Sequence, residues 1–188
     1  ILDRIEALVH SRKPFVVTSD YVGPDRRFLE GRESEIEQIP VPNSLRDKAL
    51  GQYDPARIKS EIAAARADIN DQKIDRQAYQ AASLADKILE AFAANNLTNV
   101  GKQLVELKNV TNDLKMRAFS AGAKDLEELC VPMRTVVDSL IKSRGKISKR
   151  DTELLGQLSH ALRASVRSAG KGKSVAHDIS ETVVSARA

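Results

Sequence analysis

The stretch LTNVGKQLVELKNVTNDLKMRAFSA, residues 97–121, decides the fold class. Leu97, Val100, Leu104, Leu107, Thr111, Leu114, Ala118 and Ala121 recur in steps of three and four. That spacing gathers them on one stripe of a helix, and a stripe sustained over so many turns is the seam of a helical bundle. Gly122 follows as a helix stop.

Working outward, the pattern repeats on both sides. Downstream, Leu126, Leu129, Cys130, Met133, Val136, Val137 and Leu140 line a second helix. Pro132 is expected to bend it by removing one backbone hydrogen bond, and Gly145 to close it. A third begins at a Ser148 cap, presents Leu155, Leu158, Leu162, Ser165 and Ala169 inward, and stops at GKGK. Upstream, Asp54 and Pro55 suit an N-cap and first helical position. Ile58, Ile62, Ala65 and Ile69 line one face before the polar run DINDQKID, and Ala78, Ala81, Ala85, Ile88 and Phe92 line another after it. One long helix and a kinked pair both fit residues 55–95.

The expected architecture is therefore all-α: an antiparallel four-helix bundle over 55–170, with short connections. Residues 1–13 read as a separate helix striped by Ile1, Leu2, Ile5, Leu8 and Val9. Residues 14–54 read as a linker, because five of the six prolines lie between positions 14 and 55, with only PFVVTSDYV suited to an extended piece. Residues 171–188 read as a basic loop and tail. Composition agrees: tryptophan is absent and aromatics are 4%, so alanine and leucine carry the apolar load, which favours helices over a sandwich or barrel.

Several classes are set aside by composition and spacing. A single cysteine, Cys130, makes no internal disulfide and sits on an apolar stripe, which reads as core in a cytoplasmic protein. No apolar run reaches the roughly 18 residues of a membrane span, and ILDRIEALVHSRK is amphipathic rather than an export signal. The first residue is not methionine, so a fragment of a longer protein is expected. His10, His160, His177 and Cys130 lack metal-ligand spacing, and neither a metal nor any other cofactor is expected. AGKGKS, residues 169–174, ends like a phosphate-binding loop but has Arg167 where its first glycine belongs. No small-molecule substrate or catalytic triad is legible.

Two segments resemble known families. SDYVGPDRRF, residues 19–28, with KPFVV before it and IPVPNSLRDKA after it, resembles the tail of alphaproteobacterial receiver proteins of the chemotaxis response-regulator type, where a Y-x-GPDRR segment follows the last receiver helix. The resemblance covers roughly residues 1–50 and implies that residues 1–12 correspond to that helix. The apolar stripe of such a helix has two candidate partners, the bundle or a second copy in a homodimer.

NDLKMRAFSAGA, residues 112–123, followed by KDLEELC, resembles the histidine-phosphotransfer signature H-x-L-K-G-S-A-x-x-x-G-A and its next helix. Leu114, Lys115, Ala118, Gly122 and Ala123 match. Asn112 stands where the family has its phosphorylated histidine, and an amide nitrogen, its lone pair delocalised, cannot attack an acyl phosphate. Met116 stands where the family has a glycine that lets a receiver approach. The resemblance implies a non-catalytic module of two-component signalling, placing Asn112, Lys115, Met116, Arg163 and Arg167 at a surface for a receiver domain or histidine kinase.

Two alternatives stay open. HALRASVRSAG, residues 160–170, offers His160 as a phosphoacceptor, exposed by the helical wheel and with Arg163 and Arg167 close enough to neutralise a phosphoryl group. Residues 142–173 carry nine basic against two acidic side chains, a net +7, which suits nucleic acid or an anionic membrane. Neither is the expected partner: a solvated helix face with a flexible basic loop accounts for the charge, and the aromatic interleaving that favours single-stranded nucleic acid is missing.

Overall fold

The computed structural model describes residues 2–10, 12–18, 20–25, 37–143 and 148–169. They form helix α1 (Leu2–His10), strands β1 (Phe15–Val17), β2 (Val22–Pro24) and β3 (Gln38–Ile39), and helices α2 (Ser44–Ala49), α3 (Pro55–Ala93), α4 (Val100–Ala121), α5 (Lys124–Lys142) and α6 (Lys149–Ala169). The protein is all-α in class, its strands being short and few. Gly145, the GKGK stop and the tail 171–188 lie outside the described residues, as do Arg26 and Arg27.

Two compact units divide the chain, the first reaching Lys73 and the second starting at Ile74. The division falls inside α3, so the boundary expected between 54 and 55 marks the start of a helix rather than the edge of a compact unit. That start is built as the sequence dictates: the Asp54 carboxylate accepts from the backbone N–H groups of Ala56 at 2.9 Å and Arg57 at 3.3 Å. DINDQKID does not interrupt the helix. It contains neither glycine nor proline, and Gln72 and Lys73 are good helix formers.

In the first unit, residues 14–54 hold more than a linker. β1 pairs antiparallel with both β2 and β3, giving the order β2-β1-β3. Val17, Ile39 and Ala65 form a small core with Phe15, Val41 and Ile69 against it, while Ile62, expected on the same face, is exposed. Buried Lys73 donates its ammonium to the Thr18 carbonyl at 3.1 Å. The Y-x-G-P part of the quoted motif has a local cause. The Tyr21 ring folds over Gly23, where a Cβ would come within 2.5 Å of the hydroxyl, and that hydroxyl donates to the Pro24 carbonyl at 2.9 Å. The Asn43 side-chain amide donates to the Leu8 and Val9 carbonyls, capping the C-terminal end of α1. Ile5 and Leu8 of α1 nevertheless stay exposed.

The second unit is the bundle: the later part of α3 with α4, α5 and α6 around one core. α4 buries Val100, Leu104, Leu107, Val110, Thr111, Leu114 and Ala118. Leu97, expected at the head of this seam, precedes the helix and is exposed, and Ala121 is exposed at the other end. α4 closes on Gly122 in the left-handed region at φ 71°, with Ala123 N–H donating to the Ala118 carbonyl at 2.9 Å and Gly122 N–H to the Phe119 carbonyl at 3.1 Å. α5 runs unbroken through Pro132, whose missing N–H falls on the exposed side of the helix. On α6 the buried positions are Leu155, Ser159, Leu162 and Val166. Leu158 and Ser165, expected inward, are half-buried, because α6 turns Ser159 toward the alanine-rich part of α3.

Leu107, wholly buried, and Leu97, outside the seam, separate this arrangement experimentally. Leu107→Ala is expected to lower unfolding free energy by about 2–5 kcal/mol, and Leu97→Ala to leave it within about 0.5 kcal/mol, both read from urea denaturation followed by circular dichroism.

Candidate functional site

Because α4 buries the stripe from Val100 to Ala118, the opposite stripe faces outward. It carries Val105, Asn109, Asn112, Met116 and Phe119. Val105 is 51% exposed, Met116 66% and Phe119 67%. Met116 and Phe119 are the most exposed large apolar side chains on the bundle's helices, and Val105 is matched only by Val131 of α5, in a chain that is 30% charged. Asn112 lies in the middle of the stripe. Next to buried Thr111, it is half-buried rather than fully exposed, and Lys115 is likewise half-buried.

The flanks of this face are charged. On the α5 side, Lys108 forms an ion pair with Asp138 at 2.7 Å, which holds that carboxyl below its usual range through the hydrogen bond and the charge together. On the α3 side, Gln80 donates to Glu106 at 3.5 Å. Phe119 and Val105 were not among the residues the sequence singled out. Their signal was present as a second three-and-four spacing, 105-109-112-116-119, masked by the polar residues within it.

The remaining expected site residues lie elsewhere. His160 is exposed on α6, but Arg163, expected to neutralise a phosphoryl group beside it, is committed to α3: its guanidinium bridges Asp86. The other Asp86 oxygen accepts from Ser159 Oγ at 2.7 Å, and that hydroxyl also lies 3.2 Å from the Ala82 carbonyl. Asp86, Ser159 and Arg163 thus form one polar cluster that fixes α6 on α3. The side chain of Arg167 lies outside the described residues. Asn112, Lys115 and Met116 share one helix, and Arg163 does not join them.

Cys130 is buried in the core, and burial pushes its thiol up to about 11. It is packing material at neutral pH rather than a nucleophile. Among the described residues, no three histidine, cysteine, aspartate or glutamate side chains gather as a metal site, and no helix is long and apolar enough to cross a membrane. Compared with family models, curated proteins and solved structures, the chain gives no match.

Removing the carboxylate from the α3–α6 cluster leaves Ser159 and Arg163 without their shared acceptor. Asp86→Ala is expected to cost about 1–3 kcal/mol, and a double-mutant cycle with Ser159→Ala to show coupling above about 0.5 kcal/mol. For Cys130, a thiol reagent at pH 7.5 is expected to react only after denaturant is added. Stability should hold up to the thiol's ordinary 9.0 and fall as pH rises toward about 11, because the unfolded chain ionises first.

Proposed function

We propose that this chain is a non-catalytic interaction module of two-component signalling, a phosphotransfer-like bundle that presents the α4 face to a receiver domain or histidine kinase. The observation that carries this reading is the position of Asn112 at the middle of an outward face flanked by exposed Met116 and Phe119. The helical hairpin of α4 and α5, with its Gly122 turn, is the frame in which the resembling family holds its histidine. Asparagine at that position removes phosphoryl exchange, since its amide nitrogen is not a nucleophile. The apolar side chains around it supply the desolvated centre that a protein interface needs.

Phosphotransfer through His160 is the weaker reading. Its nearest expected cation, Arg163, is already neutralised by Asp86.

Both readings are separated by one set of measurements on purified chain and the receivers encoded with it. On the interaction reading, a receiver is captured, Met116→Glu raises its Kd by at least about tenfold, His160→Gln on α6 leaves binding within about twofold, and no phosphoryl label transfers from a phosphorylated receiver. Transfer of label that disappears in His160→Gln would establish the phosphoacceptor instead. Capture of no receiver and no kinase would remove the signalling reading.

A further inference from the structure

The Y-x-G-P motif, residues 21–24, lies away from α4, in the sheet of the first unit. In an antiparallel pair, residues whose backbone groups face the partner strand alternate with residues whose groups face away. Between β1 and β2 the bonded pairs are marked by Thr18 N–H donating to the Tyr21 carbonyl at 2.8 Å and by Asp25 N–H donating to the Pro14 carbonyl at 3.0 Å. With Val16 opposite Gly23, it is Val22 and Pro24 that turn their backbone groups to the open edge of β2. The same alternation turns Phe15 toward β3, where it faces Ile39, so Gln38 and the following Pro40 carry the outward groups of the other edge. Both edges therefore have one build: a residue with an outward N–H, then a proline two positions on.

We infer that Y-x-G-P is an edge guard, which closes β2 to the addition of a further strand. An added strand needs successive donors and acceptors along the edge, and proline supplies no donor. On β2 the acceptor is withdrawn as well, because the Pro24 carbonyl takes the Tyr21 hydroxyl at 2.9 Å. Each position of the motif has its own part. Tyr21 brings a donor that reaches along its own strand. Gly23 clears the path, since a Cβ there would lie 2.5 Å from that hydroxyl. Pro24 lacks the N–H and presents the carbonyl. Val22 is what the guard protects: its apolar side chain is 41% exposed, and it carries the one outward N–H among the described residues of β2. Left open, an apolar edge of this kind recruits strands from other chains.

The guard also accounts for the prolines that read as linker. Pro24 and Pro40 stand at the outward positions of the two edges, while the Pro14 and Pro42 carbonyls accept from Asp25 N–H and from the Arg12 guanidinium. This role does not depend on the signalling reading, whose surface is on α4.

The test uses the full chain by itself. Tyr21→Phe combined with Pro24→Ala restores both outward groups while keeping the aromatic ring. In sedimentation equilibrium from about 1 μM to 1 mM, this paired variant should self-associate with a Kd at least about tenfold below that of the wild-type chain. Adding Val22→Pro, which removes the remaining outward N–H without touching the β1 ladder, should return it to the wild-type level. The methyl resonances of Val17, fully buried beneath the sheet, report whether each variant keeps the sheet folded. A folded paired variant that associates no more than wild type, or association that survives Val22→Pro, would overturn the inference. If the paired variant loses its sheet, Tyr21→Phe alone decides by the same two outcomes, with a Kd at least about threefold lower expected. Receiver capture is read separately, so either result leaves the other standing.

Discussion

The burial of one stripe of α4 is the constraint on which the rest of the bundle depends. Leu107 and Leu114 are wholly removed from water and Leu104 nearly so, and each lies against side chains from the surrounding helices. Burying a leucine contributes about 1.5–3 kcal/mol relative to exposing it, so rotating α4 would expose several such residues at once. Its azimuth is therefore fixed. With it is fixed the outward position of residues 105, 109, 112, 116 and 119, which no polar interaction needs to hold in place. The candidate surface is a by-product of the core.

The α3–α6 contact works on a different principle. There Ser159 of α6 reaches the Ala82 carbonyl on a stretch of α3 rich in small side chains, with Ala78, Ala81, Ala82 and Ala85 all fully buried. Alanine offers little area and few distinct shapes, so apolar packing alone discriminates poorly between neighbouring registers. Asp86, with Ser159 and Arg163 attached, supplies that discrimination, since sliding α6 by one turn would strand a carboxylate and a guanidinium together. An arginine that fixes one helix to another is not available to bind a phosphoryl group, which is why fold and function draw on Arg163 in opposite ways.

What the sequence made legible follows from the range of the forces involved. The helices from Asp54 to Ala121 read cleanly because their signals are local: a carboxylate cap, an uninterrupted set of helix formers, a three-and-four apolar spacing, a terminal glycine. Continuity through DINDQKID is not legible in the sequence, because a polar run blurs the stripe without containing any residue that breaks a helix. The strands at Phe15–Val17 and Gln38–Ile39 were poorly legible, since two- and three-residue strands acquire their identity from partners distant in sequence. Leu97 illustrates the reverse error: its spacing fits the seam, but Asn99 and the turn before Val100 stop the helix short of it. At the candidate site Met116 is exposed while Asn112, expected at the surface, is half-buried; no motif marks Val105 and Phe119, and the Asp86 partner of Arg163 lies 77 positions away, beyond any local pattern.

The central proposal is that the α4 face binds a signalling partner without exchanging phosphoryl groups. A methyl NMR titration of the chain with a captured receiver tests it most directly, because Met116 and Val105 place reporter methyls on that face while Leu155 and Val166 report from α6. The Met116 and Val105 resonances are expected to shift and those of Leu155 and Val166 to stay in place. Shifts centred on α6 around His160, with Met116 unmoved, would contradict it.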